Sequence, residues 1–466
     1  MSAMSTATRT RRPPNFVFLL GDDWGWGDLG CFGHRQIKTP CLDRMAAEGT
    51  RFTQFYVNAP VCSPSRAAFL TGRFPGPLGI HTIFTTPEQD RARGLPAHLD
   101  PHIPTIGRLL QQAGYATAHF GKWHLGRGQG VPDAGAYGFD AHRSTHSSGP
   151  GWPDVGEITE QGQTAAAFQP CSTEAIIDAT IEFIEANRDR PFYVQAWLLD
   201  PHAVLNPTEE QMAPYRHLSP LGVGHKGAPT IYYSVITNAD RHIGRLLSRL
   251  DQLGLADETM VLFTSDNGPE DILVRNASHS GVGSAGPFRG RKRSLYEGGV
   301  RLPLIVRWPG HVPAGRVDDD SVVSAVDFLP SLCRLAGVQL PEALELDGED
   351  ISSALLGGTH ERRRPLLWEW RYGIVGHPIH RSPRLAIRVG RWKLLLNPDH
   401  SRVELYDIPA DPMELTNLAG QYPEVVERLA TQALSWQAAL PPGPVAPEAG
   451  ANAYPWPRGA PEGQVR

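Results

Sequence analysis

Cysteine is scarce in this 466-residue sequence. Its five residues, at 31, 41, 62, 171 and 333, are too scattered for a disulfide framework and lack the CxxC spacing of a zinc site. Four of them read as packing thiols. No stretch of about 20 apolar residues occurs, which argues against a membrane span. An excess of one charge sign is missing too: 44 basic and 49 acidic residues leave a formal net charge of -5, so no whole-molecule field favours nucleic acid or an anionic membrane. A secretory signal also lacks support. Arg9, Arg11 and Arg12 precede the apolar run Asn15–Leu20, but that run passes straight into Gly21-Asp22-Asp23 with no small-residue cleavage site, and it reads as a first buried strand. As written the chain is expected in the cytoplasm, or in the periplasm or medium if the N-terminus is incomplete.

What the sequence does have is a repeated exchange of short apolar runs and helical patterns. Phe16–Leu20, Ala116–Phe120, Phe192–Leu199, Met260–Thr264 and Leu304–Trp308 are separated by helical segments such as Thr105–Gln112 and Ser234–Leu253. That order predicts an α/β fold with a mostly parallel sheet flanked by helices on both faces. In Ile231–Leu253 the apolar positions recur at helical spacing, and Arg241, Arg245 and Arg249 fall on another face, read as solvated. After Gly358 the texture changes to strand-like pieces Leu366–Tyr372, Leu385–Val389 and Trp392–Leu396, then a helix over Tyr422–Ala439. The expected organisation is an extension over 1–14, a main domain over 15–360, a smaller α+β subdomain with an antiparallel sheet over 361–439, and a Pro/Gly/Ala-rich tail over 440–466.

Two strand ends carry hard oxygen donors. Asp22-Asp23 closes the first apolar run, and Ser265-Asp266-Asn267-Gly268 closes Met260–Thr264. Ligands of open α/β sheets bind at the carboxyl ends of strands. Four oxygens with no accompanying imidazole or thiolate suit calcium before magnesium. Taken singly, each motif is equally well a strand terminator, since Asp and Asn form turns.

Cys62-Ser63-Pro64-Ser65-Arg66, followed by Leu70-Thr71-Gly72-Arg73, resembles the motif of the formylglycine-dependent sulfatases, in the arylsulfatase and N-acetylgalactosamine-6-sulfatase-like branch of the alkaline-phosphatase-like superfamily. The resemblance implies a large α/β domain with a smaller C-terminal one. It also implies oxidation of Cys62 to formylglycine by a formylglycine-generating enzyme, and hydrolysis of sulfate monoesters of sugars or aryl alcohols. In such chemistry one hydroxyl of the aldehyde hydrate attacks sulfur and the other drives sulfate out, which splits one hard displacement into two easier steps. A cation held by Asp22, Asp23, Asp266 and Asn267, with residue 62, would lower the pKa of the attacking hydroxyl.

Further segments extend the resemblance. Gly121-Lys122-Trp123-His124-Leu125-Gly126 follows the strand Ala116–Phe120, and positions i and i+2 of an extended segment share a face. By resemblance Lys122 contacts sulfate and His124 takes a proton from the formylglycine hydrate. Lys292, five residues before Glu297-Gly298-Gly299, stands where the family bridges sulfate and the leaving oxygen, while Arg291 and Arg293 read as solvated. His202, after Pro201, matches the histidine that meets the leaving alcohol, although Val204 replaces an expected proline; His225 and His279 are the stand-ins. Arg66 completes the catalytic set. Three aspartates against Arg66, Lys122, Lys292 and a divalent ion leave a net positive pocket suited to a sulfate monoester. Beyond the sulfate, loops His81–Glu88, His142–Trp152 and Trp370–Tyr372 are the pocket candidates, with Arg143, His146, Trp152 and His377 as substrate contacts. Two alternatives stay open: a phosphonate monoester or phosphodiester hydrolase, and a sulfated-glycan binder whose Cys62 is never oxidised. Assembly as an oligomer also stays open.

Overall fold

Strand β1 (Asn15–Gly21) is buried along its whole length, with Phe16, Phe18 and Leu20 facing one core and Val17 and Leu19 the other. An apolar run without alternation has this consequence: both faces need cover. The structure is a computed structural model describing residues 12–128, 130–145, 172–219, 227–274 and 278–452. The other strands of the large sheet are β2 (Thr50–Tyr56), β3 (Ala116–Lys122), β4 (Ala141–Thr145), β5 (Phe192–Trp197), β6 (Thr259–Ser265), β7 (Arg301–Arg307), β8 (Arg316–Asp318) and β9 (Val323–Ser324). Their order is β4-β3-β5-β1-β6-β7-β2-β8, with β9 also paired to β2. β7 is antiparallel to β6 and β2, and the other pairings are parallel.

Helices α1 (Pro40–Ala47), α2 (Cys62–Thr71), α3 (Ile106–Gln112), α4 (Ser172–Ala186), α5 (Ala228–Gln252) and α6 (Phe328–Leu335) divide between the faces. α1, α4 and α5 close the core that holds Val17 and Leu19, and α2, α3 and α6 close the one that holds Phe18. The arginine face of α5 is only partly solvated. Arg245 meets Asp178 at 2.7 Å and Arg249 meets Glu185 at 2.6 Å, so α4 neutralises it. A groove of about 710 Å³ beside these helices is lined by Arg44, Arg241, Arg245 and Arg249 and by none of the motif residues.

The second sheet is β10 (Leu366–Glu369), β11 (Leu385–Val389), β12 (Trp392–Leu396) and β13 (Glu404–Asp407), antiparallel throughout and covered by α7 (Pro423–Ala438). The expected strand Leu366–Tyr372 stops at Glu369, where Arg371 and Arg384 converge on its carboxylate at 2.6 and 2.7 Å. The apolar core under α2 continues into this sheet through Tyr56, Trp368, Ile387 and Leu394. The first part of the tail also packs on its own chain: Ala446 N–H donates to the Arg371 carbonyl, and the Gly450 carbonyl accepts from Asn397 and Arg402. No helix among the described residues is long and apolar enough to cross a membrane.

The ring of Phe18 lies 5.1 Å from that of Phe69 and 5.2 Å from that of Phe328, joining β1 to α2 and α6. Phe18→Ala should therefore cost about 3–5 kcal/mol of stability. A urea unfolding midpoint unchanged by the substitution would remove that residue from the core.

Candidate active site

Parallel pairing brings the carboxyl ends of β1, β3, β5 and β6 to one edge of the sheet, and two antiparallel pairings through β7 bring that of β2 there as well. β1 delivers Asp22 and Asp23, and β6 delivers Asp266 and Asn267, in a register that pairs Gly21 with Ser265. β3 delivers Lys122 and His124, the chain after β5 delivers His202, and the chain after β2 delivers Cys62 at the start of α2. β7 runs the other way, so its amino end lies at this edge and the segment before it brings in Lys292. Cys62, Arg66, Lys122, Lys292, Asp22, Asp23, Asp266 and Asn267 are all buried.

Buried charges must be paired, and here each is. Lys122 Nζ donates to both oxygens of Asp22 at 2.8 and 2.7 Å. Lys292 Nζ reaches Asp23 Oδ1 at 2.5 Å. Arg66 gives Nε and Nη2 to Asp266 Oδ2 at 2.9 and 2.8 Å and Nη1 to the Lys122 carbonyl at 2.6 Å, with its Cζ 5.1 Å over Trp197. Asn267 Nδ2 donates to Asp23 Oδ1 at 2.6 Å. Burial pushes the Asp22 carboxyl up, but Lys122 and His202 outweigh it and hold the pKa at about 2.

Two features suit a cation. The donor atoms of Asp22, Asp23, Cys62 and His202 all lie within 4.8 Å of one another. Asp23 Oδ2 and Asn267 Oδ1 are buried oxygens with no hydrogen-bond partner among the described residues, as a hard divalent ion requires of its ligands.

The titrating groups have distinct states. Cys62 Sγ lies 3.6 Å from Asp22 Oδ1, and burial together with Asp266 pushes its thiol up to about 12. That shift favours the protonated thiol, the less nucleophilic form, when residue 62 is unmodified. His124 is held well below the usual imidazole range, first by burial and then by Lys122 and Arg66. Its Nε2 lies 3.3 Å from the Phe84 carbonyl, so Nε2 carries the hydrogen and Nδ1 keeps a lone pair with no partner among the described residues. His202 donates Nδ1–H to the Ala203 carbonyl at 2.8 Å and turns Nε2 toward Asp23, 3.9 Å away.

Three site residues, Asp23, His124 and Arg293, have φ of 71°, 56° and 73°, a region non-glycine residues seldom adopt. Gly121, within β3, has φ of 104°, and a Cβ there would lie 1.9 Å from the Trp197 carbonyl, so only glycine lets β3 approach β5 that closely above Lys122.

Two of the expected substrate contacts come from separate surface segments. Arg143 sits exposed on edge strand β4 with its guanidinium 4.0 Å from Glu182 of α4, directed to a helix and not to the cluster. His377 is exposed, and its Nδ1 accepts the Ile379 N–H at 3.3 Å. His146, Trp152 and His225 lie outside the described residues. Loop His81–Glu88 does reach the site, through the Phe84 carbonyl on His124. Arg291 and Arg293 are half-buried and bonded, not a solvated face. Arg291 donates to the carbonyls of Glu270, Gly281 and Gly283, and Arg293 pairs with Glu270 at 2.5 Å. Glu270, 5% exposed and 3.9 Å from Lys292, is a site carboxylate that sequence reasoning missed; only its place four residues after Asp266 hinted at it.

The chain matches the sulfatase family model over residues 14–338, and the model for the C-terminal part of N-sulphoglucosamine sulphohydrolase over residues 286–438. It is 32% identical to arylsulfatase A of Homo sapiens over 92% of this chain and 88% of that protein. To the N-acetylgalactosamine-6-sulfatase of Canis lupus familiaris it is 36% identical, over 74% of this chain and 67% of that one. The crystal structure of Ps i-CgsB in complex with k-i-k-neocarrahexaose is similar, with a TM-score of 0.74 and 25% identity over 91% of this chain and 93% of that one.

Burial raises the Glu270 carboxyl, but Lys292 and Arg293 outweigh it and hold its pKa at about 2 against an ordinary 4.5. The stability this supplies is complete above about pH 4.5 and is lost as the pH falls toward 2. Urea unfolding at pH 5 and pH 3 should show wild type losing more stability across that interval than Glu270→Gln. Equal losses would mean that Glu270 titrates alike folded and unfolded.

Proposed function

This chain belongs to the sulfatase family, a family of sulfuric ester hydrolases, and on that footing we propose that it releases inorganic sulfate from a sulfate monoester at the cluster around Cys62. The observation that carries the assignment to this cluster is the convergence of Asp22, Asp23, Cys62 and His202 within 4.8 Å, from three strand ends far apart in sequence. Oxidised to formylglycine by a formylglycine-generating enzyme, residue 62 would supply an aldehyde hydrate, a nucleophile able to return to a carbonyl without water attacking sulfur. Asp22, Asp23, Asp266 and Asn267 would hold a calcium ion, which supplies positive charge against the charge that develops on the sulfate oxygens.

The chain's own groups do the rest. Lys122 and Lys292 are buried cations beside the carboxylates, placed to donate to sulfate oxygens as preorganised charge, and Lys292 to the leaving oxygen as well. Arg66 is committed to Asp266 and to the Lys122 carbonyl, so its part is to hold those two groups in place. His124, neutral with an unpaired Nδ1, is suited to accept a proton. His202, on the partly open side, is suited to meet the leaving oxygen.

We take the alcohol to be a sugar. The sequence between Ala67 and Leu78 leans toward the arylsulfatase and hexosamine-6-sulfatase branch, and a hexosamine-6-sulfatase is among the similar proteins. A sulfated monosaccharide, taken end-on, is the expected substrate.

Sulfate release from hexosamine sulfates and from 4-nitrophenyl sulfate, followed by ion chromatography, tests the reading. Matured enzyme should act on both, Cys62→Ala should lose on the order of 10⁴-fold or more, and His124→Ala about 10²–10⁴-fold. A chelator should silence the enzyme and calcium restore it. Activity surviving in Cys62→Ala would remove the nucleophile.

A further inference from the structure

The proposed reaction uses Lys292, and the segment that carries it is held from outside the large sheet as well as from within it. Lys292 is the apex of a loop, with its own N–H on the Pro269 carbonyl at 2.9 Å and the Arg293 N–H on the Pro60 carbonyl at 2.8 Å. The flanks of the loop are bonded to the four-stranded sheet and its connections. Before the apex, the Arg289 guanidinium stacks 3.8 Å over Tyr296 and donates to the Ile379 carbonyl at 2.7 Å, Tyr406 Oη at 3.1 Å and the Glu414 carbonyl at 3.2 Å. The Gly290 N–H reaches His380 Nδ1 at 3.1 Å.

After the apex, the Leu295 N–H reaches Ser382 Oγ at 2.9 Å, Tyr296 Oη reaches Glu404 at 2.7 Å, and the Glu297 N–H reaches Glu414 Oε2 at 2.7 Å. The Glu297 carboxylate then meets Lys393 at 2.8 Å, and Lys393 meets Glu414 at 2.9 Å. Glu297, Lys393 and Glu414 are fully buried, and Glu414 takes a left-handed φ of 56° to make these contacts.

A lysine side chain has four flexible methylenes, so where its ammonium sits depends on its backbone. An error of about 1 Å in a positioned group can cost about 10²-fold in rate. We infer that Arg289 and the buried Glu297–Lys393–Glu414 cluster are positioning residues for Lys292, through which the four-stranded sheet serves the reaction. They touch neither substrate nor cation; they set where Nζ stands against Asp23. The inference rests on the role given to Lys292 under the proposed function.

A double-mutant cycle tests it, using matured protein with kcat/KM normalised to the aldehyde content of residue 62. Arg289→Gln should lower kcat/KM by about 10–100-fold when Lys292 is present, and by less than about 3-fold in the Lys292→Gln background, because a residue acting through another adds nothing once that other is gone. In the single variant, phenyl sulfate should lose more than 4-nitrophenyl sulfate, since the poorer leaving group needs the ammonium more. Tyr406→Phe, which removes one acceptor of Arg289 without a change of charge, should repeat the pattern at smaller amplitude.

Equal losses in both backgrounds would overturn the inference by marking a general structural defect, and no loss in the single variant would overturn it outright. Full activity in Lys292→Gln would overturn the role of Lys292 and this inference with it. A matured wild type that frees no sulfate from any ester would instead overturn the proposed function itself.

Discussion

Everything at the sheet edge depends on buried carboxylates and buried cations neutralising one another. Asp22 with Lys122, Asp23 with Lys292, and Asp266 with Arg66 are pairs whose members are almost wholly removed from water. A buried charge without its partner is costly, so neither half of a pair is tolerable alone. Each aspartate therefore depends on a strand or loop that enters from another part of the chain, and the fold must close before the site exists. The same exclusion of water makes those charges effective on a sulfate ester, because a fixed charge acts more strongly in a low-dielectric pocket than in solvent.

The site is also where the backbone departs from comfortable geometry. Asp23, His124 and Arg293 all adopt left-handed conformations, and each lies directly beyond or beside a fully buried strand or an ion pair. The strain is tolerated because the flanking bonds over-determine the turn: Trp24 N–H on Ser265 Oγ at 2.9 Å after Asp23, and Arg293 N–H on the Pro60 carbonyl at 2.8 Å. The payoff is direction. Asp22 and Asp23 are neighbours in sequence, yet one faces Lys122 and the other Lys292.

The second sheet belongs to the same physical argument. Its core is continuous with the layer over α2, the helix that begins with Cys62, and its polar edge grips the segment that carries Lys292. The reversed direction of β7 makes this possible, since it puts the start of a strand, and the segment leading into it, at the edge where the other strands of the sheet end.

Local chemistry made much of this legible from sequence. Apolar runs announced β1, β3, β5, β6 and β7, and the Asp, Lys and Asn residues that follow three of them had to lie at strand ends, because side-chain periodicity and burial are properties of neighbours along the chain. Cys62-Ser63-Pro64-Ser65-Arg66 and Gly121-Lys122-Trp123-His124 carried their meaning in adjacent residues as well. What the sequence could not disclose were relations between distant segments. β2 mixes polar and apolar residues in no clean alternation and is a strand only because β7, β8 and β9 pair with it. Arg291 and Arg293 look solvated in a basic run, and tertiary packing alone puts Glu270 and three carbonyls around them. Arg143 stood in sequence beside other candidate substrate contacts, and only the placement of α4 shows that its guanidinium lies near Glu182. Sequence determined which groups are present and which end of a strand each occupies; tertiary structure decided which opposite charges meet, because electrostatic pairing acts through space and a linear pattern records only separation along the chain.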